Sequence, residues 1–176
     1  MTDSNPDKQS SHKDICHELE AHFKIIQSCS IETDSGERIL LAARPESRYP
    51  YFYPRDGACA SGLLAYLSTS DLPIADDAYE LLKSIASFVL KILRGDGYIG
   101  QRYSLSSEEK SVYKQEDNNA HGLIILCNYL LTAEARGESI QGIDKFLLSI
   151  NNASQFAIKN YYRPEINLFH STTSIH

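Results

Sequence analysis

Apolar residues recur at spacings of three and four along most of this chain. Clusters of Pro, Gly and Asp cut that pattern into five blocks. Residues 1–13 are polar, show no such period and are expected to form a disordered tail. The first helix follows, with Asp14 as N-cap and Ile15, Leu19, Phe23 and Ile26 on one face, and should end near Cys29. After a turn at Thr33, Asp34, Ser35 and Gly36, residues 39–43 read as a short extended run. Pro45, Pro50 and Pro54 exclude one continuous helix over 44–55, which becomes an aromatic loop. A second helix should open at Asp56 and bury Ala58, Leu63, Leu64 and Leu67. The third, over about 75–93, carries Leu81, Leu82, Ile85, Phe88, Val89 and Ile92 inward, and Gly95 to Gly97 stop it. The fourth runs from about Asp117 to Ala135 and the fifth from about Ile140 to Tyr162, where Pro164 halts it. The last twelve residues read as irregular.

Long and short connections alternate between these helices. Antiparallel helix pairs give that alternation when functional loops gather at one end. Strands do not alternate with helices, which excludes a parallel α/β sheet and makes the chain all-α.

Composition narrows the classes of function. Seventeen Lys and Arg against 23 Asp and Glu give a formal charge of -6, the wrong balance for broad nucleic-acid binding. No apolar run approaches the roughly 18–20 residues that span a bilayer, so no membrane partner is expected. The N-terminus lacks the apolar stretch of a secretory signal. Cys16, Cys29, Cys59 and Cys127 have no CxxC spacing; four reduced, structural cysteines in a cytoplasmic protein are expected. Cys59 and Cys127 lie in small or apolar runs that suit packed thiols. His17 and His22 are spaced poorly for sharing a metal, and His170 and His176 lack an acidic cluster. Neither a metal nor a cofactor is implied.

Two segments carry candidate chemistry. In the first, Tyr49 to Tyr53 lead to Arg55 and Asp56 at a helix entrance. A guanidinium fork, a carboxylate acceptor and Tyr rings suit a polyhydroxyl ligand. The plainer reading is a capping Asp, a surface Arg and core aromatics. In the second, Gly97 to Tyr103 precede Gln115, Glu116 and Asp117 at another helix entrance. Gln115 and Asp117 lie two apart and point the same way if extended. A capping Asp among solvated neighbours explains that segment equally well.

Taken in order, these segments resemble the N-terminal part of the glucoamylase-type glycoside hydrolases of family 15 and their trehalase and dextranase relatives. The matching features are the run 39–43, the Tyr-rich loop closing on Arg55-Asp56, the loop from Gly97 to Tyr103, and Gln115-Glu116-Asp117. The resemblance covers roughly residues 20–170. It implies an (α/α)6 barrel of six helical hairpins, of which about five helices lie here, residues 14–176 being its N-terminal part. It also implies an inverting α-glucosidase that removes terminal α-linked glucose from glucans or small oligosaccharides, with carboxyls about 6.5–9.5 Å apart. Arg55 and Asp56 would hold the terminal glucose, Gln115 and Asp117 would shape the pocket, and Tyr51, Tyr53 and Tyr103 would supply sugar platforms.

The departures are specific. The chain has no Trp, the usual platform in this family. His170 falls where the general acid should be, with Glu165 offset by several residues; the acid and base stay unassigned. Twelve helices need several hundred residues, so the chain is expected to be a fragment of a longer parent that completes the barrel. A non-catalytic glucan-binding or regulatory domain, of the kind found in phosphorylase kinase subunits, is the alternative. A helical interaction domain with coincidental motifs is the third.

Overall fold

The computed structural model describes residues 6–33 and 36–169. His170 and His176 lie outside them. Among the described residues the chain is mostly helical, with five α-helices and two short hairpins. None of these helices is long and apolar enough to cross a membrane.

Helix α1 spans Pro6–Ser28. It begins well before Asp14, so residues 6–13, expected in the tail, are helical instead. Pro tolerates the first helical turn because its missing N–H would have no partner there. Phe23 is buried, and Leu19 and Ile26 pack against the core, whereas Ile15 is exposed. Strands β1 (Ser30–Glu32) and β2 (Arg38–Leu40) then form an antiparallel hairpin with Ile31 opposite Ile39. Its turn uses Gly36 at φ 77°.

Helix α2 is Pro54–Ser68, α3 Ala75–Ile92, α4 Asn118–Ala135 and α5 Ile143–Tyr161. All six expected inner residues of α3 are buried. Such burial contributes about 1.5–3 kcal/mol per large apolar side chain. Helix α2 opens at Pro54, two residues before Asp56, because Pro supplies a preset φ at the first position. After α5, β3 (Tyr162–Arg163) pairs with β4 (Leu168–Phe169), so the tail through Phe169 is a small hairpin, not an irregular strand of chain. Cys29, Cys59 and Cys127 are free thiols, but Cys59 and Cys127 are exposed and not packed as small hydrophobes.

Helices α2 and α4 run parallel, as three contacts in step show. Arg55 meets Asp117; Asn128 Nδ2 donates to Ser61 Oγ at 2.9 Å; Arg136 Nη1 donates to the Ser68 carbonyl at 2.6 Å. Arg136, at the end of α4, also bonds Asp76 in the first turn of α3. Helix α3 is therefore antiparallel to both. Both long connections, 29–53 and 93–117, consequently arrive at one end, where α2 and α4 begin.

That end is laced together by backbone. Phe52 and Tyr103 exchange two N–H···O bonds of 2.9 Å, and the Phe52 ring packs edge-on against Phe88. Asn119, fully buried, donates to the Gly97 carbonyl and accepts from Ile99 N–H. Gly97 lies at φ 92°, and a Cβ there would collide with the Asn152 carbonyl of α5. Gly137 at φ 70° has open space around it. Gly97→Ala should therefore lower unfolding stability by about 2 kcal/mol or more, and Gly137→Ala by only about 1 kcal/mol. Urea titration of both variants measures the difference.

Candidate functional site

Asp117 is the residue at the threshold of α4, and its side chain does not cap the helix. Its carboxylate reaches instead across to α2, where Arg55 Nη2 donates to Oδ2 at 2.6 Å. The two side chains remain about half exposed, 55% and 46%. An ion pair this wet is worth less than about 1 kcal/mol in stability. Its consequence is geometric: it ties the first turns of two parallel helices together and orients a guanidinium and a carboxylate at one mouth.

Asp56 stands in the first turn of α2, where the helix dipole favours a carboxylate. Although the residue is exposed overall, partial desolvation of its carboxyl raises its pKa, against the opposing pull of Arg55 and then His121. His121 completes the group. It lies one helical turn after Asp117, and its N–H donates to the Asp117 carbonyl at 3.0 Å. Its Nδ1 is buried and has no hydrogen-bond partner among the described residues. Burial lowers the His121 pKa; Asp117 and Asp56 oppose that shift and Arg55 adds to it. The imidazole is thereby held neutral, with a free ring nitrogen for donation or acceptance.

The aromatic residues separate into two sets. Tyr51 and Tyr53 are half-buried and bound to Arg102. The guanidinium sits 4.9 Å over the Tyr51 ring, and Nη1 donates to the Tyr53 hydroxyl at 3.2 Å. Tyr103, expected as a sugar platform, is instead 2% exposed, and its hydroxyl accepts the Gly100 N–H. Burial moves its pKa far up, so it is a neutral core phenol with no open face. Gln115 is buried at 8% exposure and does not lie beside Asp117 on an open rim.

The structure thus joins Arg55 and Asp117, sets Asp56 and His121 beside them, and withdraws Tyr103 and Gln115 from solvent. Neither His121 nor Arg102 was given a site role from the sequence, although Arg102 lies in the loop from Gly97 to Tyr103 that carries the resemblance. For His121 a signal was present, because residues four apart share a helix face. For Arg102 the signal was its place in that loop, but its partners Tyr53 and Tyr51 lie 49 and 51 positions away. Among the described residues, no three His, Cys, Asp or Glu side chains are grouped to hold a metal ion. What remains is a fork of donors, two carboxylate acceptors and a neutral imidazole, a set matched to hydroxyl groups. A cavity of about 490 Å³ reaches this cluster through Asp117.

Comparison with protein-family models, with curated proteins and with solved structures gives no match for this chain.

The His121 environment has a measurable consequence. Its folded-state pKa lies below the ordinary 6.5. As pH falls through that ordinary value, the unfolded chain takes up a proton that the folded chain refuses, so stability declines with falling pH. The decline ends once the folded His121 protonates too. Urea unfolding near neutrality and at about pH 5.5 should show a smaller decline for His121→Gln than for the wild type.

Proposed function

We propose that this chain is a carbohydrate-binding helical-hairpin domain of inverting α-glucosidase type, in which Arg55, Asp56 and Asp117 anchor a terminal glucose. The observation that carries the reading is the Arg55–Asp117 pair at 2.6 Å, with Asp56 on the adjoining residue of the same helix entrance. Two sequence segments 62 positions apart, each matched to the glucoamylase-type pattern, meet at one place. His121 adds an acceptor or donor for a further hydroxyl. Tyr51 and Tyr53, steadied by Arg102, supply the aromatic border that Tyr103 does not.

The (α/α)6 barrel belongs to this proposal. Parallel α2 and α4 would be inner helices, with α3 as the outer return between them. Their solvent faces support it. Helix α4 exposes Ile124, Cys127 and Leu131 in an i, i+3, i+7 stripe, and α2 exposes Cys59 and Tyr66. Apolar stripes of this kind favour further packed helices, which the remainder of a longer parent chain would provide. Free thiols at Cys29, Cys59 and Cys127 suit a cytoplasmic setting.

Titration calorimetry with maltose, isomaltose and trehalose tests the anchor. The expected result is saturable binding of at least one sugar, weakened about tenfold or more by Asp56→Ala. Absence of binding by the wild type, or equal binding by Asp56→Ala, contradicts it. The non-catalytic reading rests on His170 at the position of the acid. Binding without hydrolysis of the same sugars by the parent protein selects that reading.

A further inference from the structure

The cavity that touches Asp117 differs in character from the anchor beside it. It lies between α4 and α5 and measures about 490 Å³, within the usual range of small-molecule sites. Ala120 and Leu123 form its α4 wall, Ala157 and Ile158 its α5 wall, and Phe169 of β4 stands at its edge. A sugar ring, dense in hydroxyls, gains little from such walls, whereas a flat or aliphatic group loses its hydration there at a profit in free energy. Polar residues interrupt the apolar lining at Glu116, Asp117, Ser154 and Tyr161. Tyr161 is 5% exposed, and its hydroxyl has no hydrogen-bond partner among the described residues. Buried Tyr hydroxyls ordinarily have one. Burial, then the nearby Tyr98, Glu116 and Asp96, push its pKa up to about 12, so it remains a donor.

We propose that this cleft holds the apolar aglycone of a glucoside whose sugar sits on Arg55, Asp56 and Asp117. The substrate class is then an aryl or alkyl glucoside bearing a hydrogen-bond acceptor, not a plain glucan. Asp117 is the hinge of the assignment: it lines the cleft and pairs with Arg55 at the anchor. The inference rests on the carbohydrate reading above. It adds the identity of the group attached to the glucose, which the anchor alone does not specify.

Calorimetry of the 176-residue chain with three probes separates the two layers. The probes are 4-nitrophenyl α-D-glucopyranoside, methyl α-D-glucopyranoside and 4-nitrophenol. The nitrophenyl glucoside should bind about tenfold or more tightly than the methyl glucoside. Ala157→Leu, which fills the cleft, should remove that advantage and leave methyl glucoside binding unchanged. Tyr161→Phe keeps the ring and its packing, and should weaken only the nitrophenyl compounds, by several-fold. Equal affinity for the two glucosides overturns the aglycone cleft while the sugar anchor stands. Binding of 4-nitrophenol, sensitive to Tyr161→Phe, with neither glucoside bound, overturns the link between cleft and sugar and the anchor with it. Binding of none of the three overturns both.

Discussion

Parallel neighbouring helices set their positive ends side by side, and something must offset the charge that gathers there. In this molecule α2 and α4 begin together, with Asp56 in the first turn of α2 and Asp117 at the N-cap position of α4. Carboxylates at that place are stabilised by the two helix dipoles, each by a few tenths to about 1 kcal/mol. Arg55 then spans the gap and fixes the distance. The same requirement that permits parallel packing thus concentrates acceptors and a donor fork at one mouth. The antiparallel α3 makes the arrangement reachable with a short link and leaves the two long connections on the side of the Arg55–Asp117 pair.

Those long connections are not loose. The Phe52–Tyr103 backbone pair welds the first to the second, and Asn119 ties the second to α4. Both ties use buried groups, so breaking either strands a desolvated polar atom, at about 1–3 kcal/mol each. The anchor itself is half exposed and contributes little to stability. Rigidity therefore comes from the loops behind the Arg55–Asp117 pair, and in the proposed reading the exposed side chains in front would exchange protein contacts for ligand contacts.

Much of the helical frame was legible in the sequence. The α3 face from Leu81 to Ile92 has one period and one burial pattern, and its limits follow from Pro73 before it and Gly95 after it. The start of α1 was not legible. Residues 6–13 are polar, and a polar helix leaves no hydrophobic period to read. At the site, Arg55, Asp56 and Asp117 were legible as helix-entrance residues. Tyr103 was misplaced because the same ring serves equally as a platform or as core. The choice was made by Phe52, 51 positions away, and by a Gly100 N–H that needed an acceptor. His121 was overlooked although it stands one helical turn after Asp117; what the spacing does not show is its unpaired buried nitrogen, which packing reveals.

Whether Arg55, Asp56, Asp117 and His121 act together as one receptor for hydroxyl groups is open to a direct measurement. Heteronuclear NMR can follow the Arg55 guanidinium and His121 imidazole signals while maltose is added. Both should shift along a single saturation curve, with the exposed Lys83 ammonium on α3 unaffected. Arg55 and His121 signals that stay fixed at saturating sugar, or that move no more than Lys83, would contradict the assignment of this mouth as the sugar site.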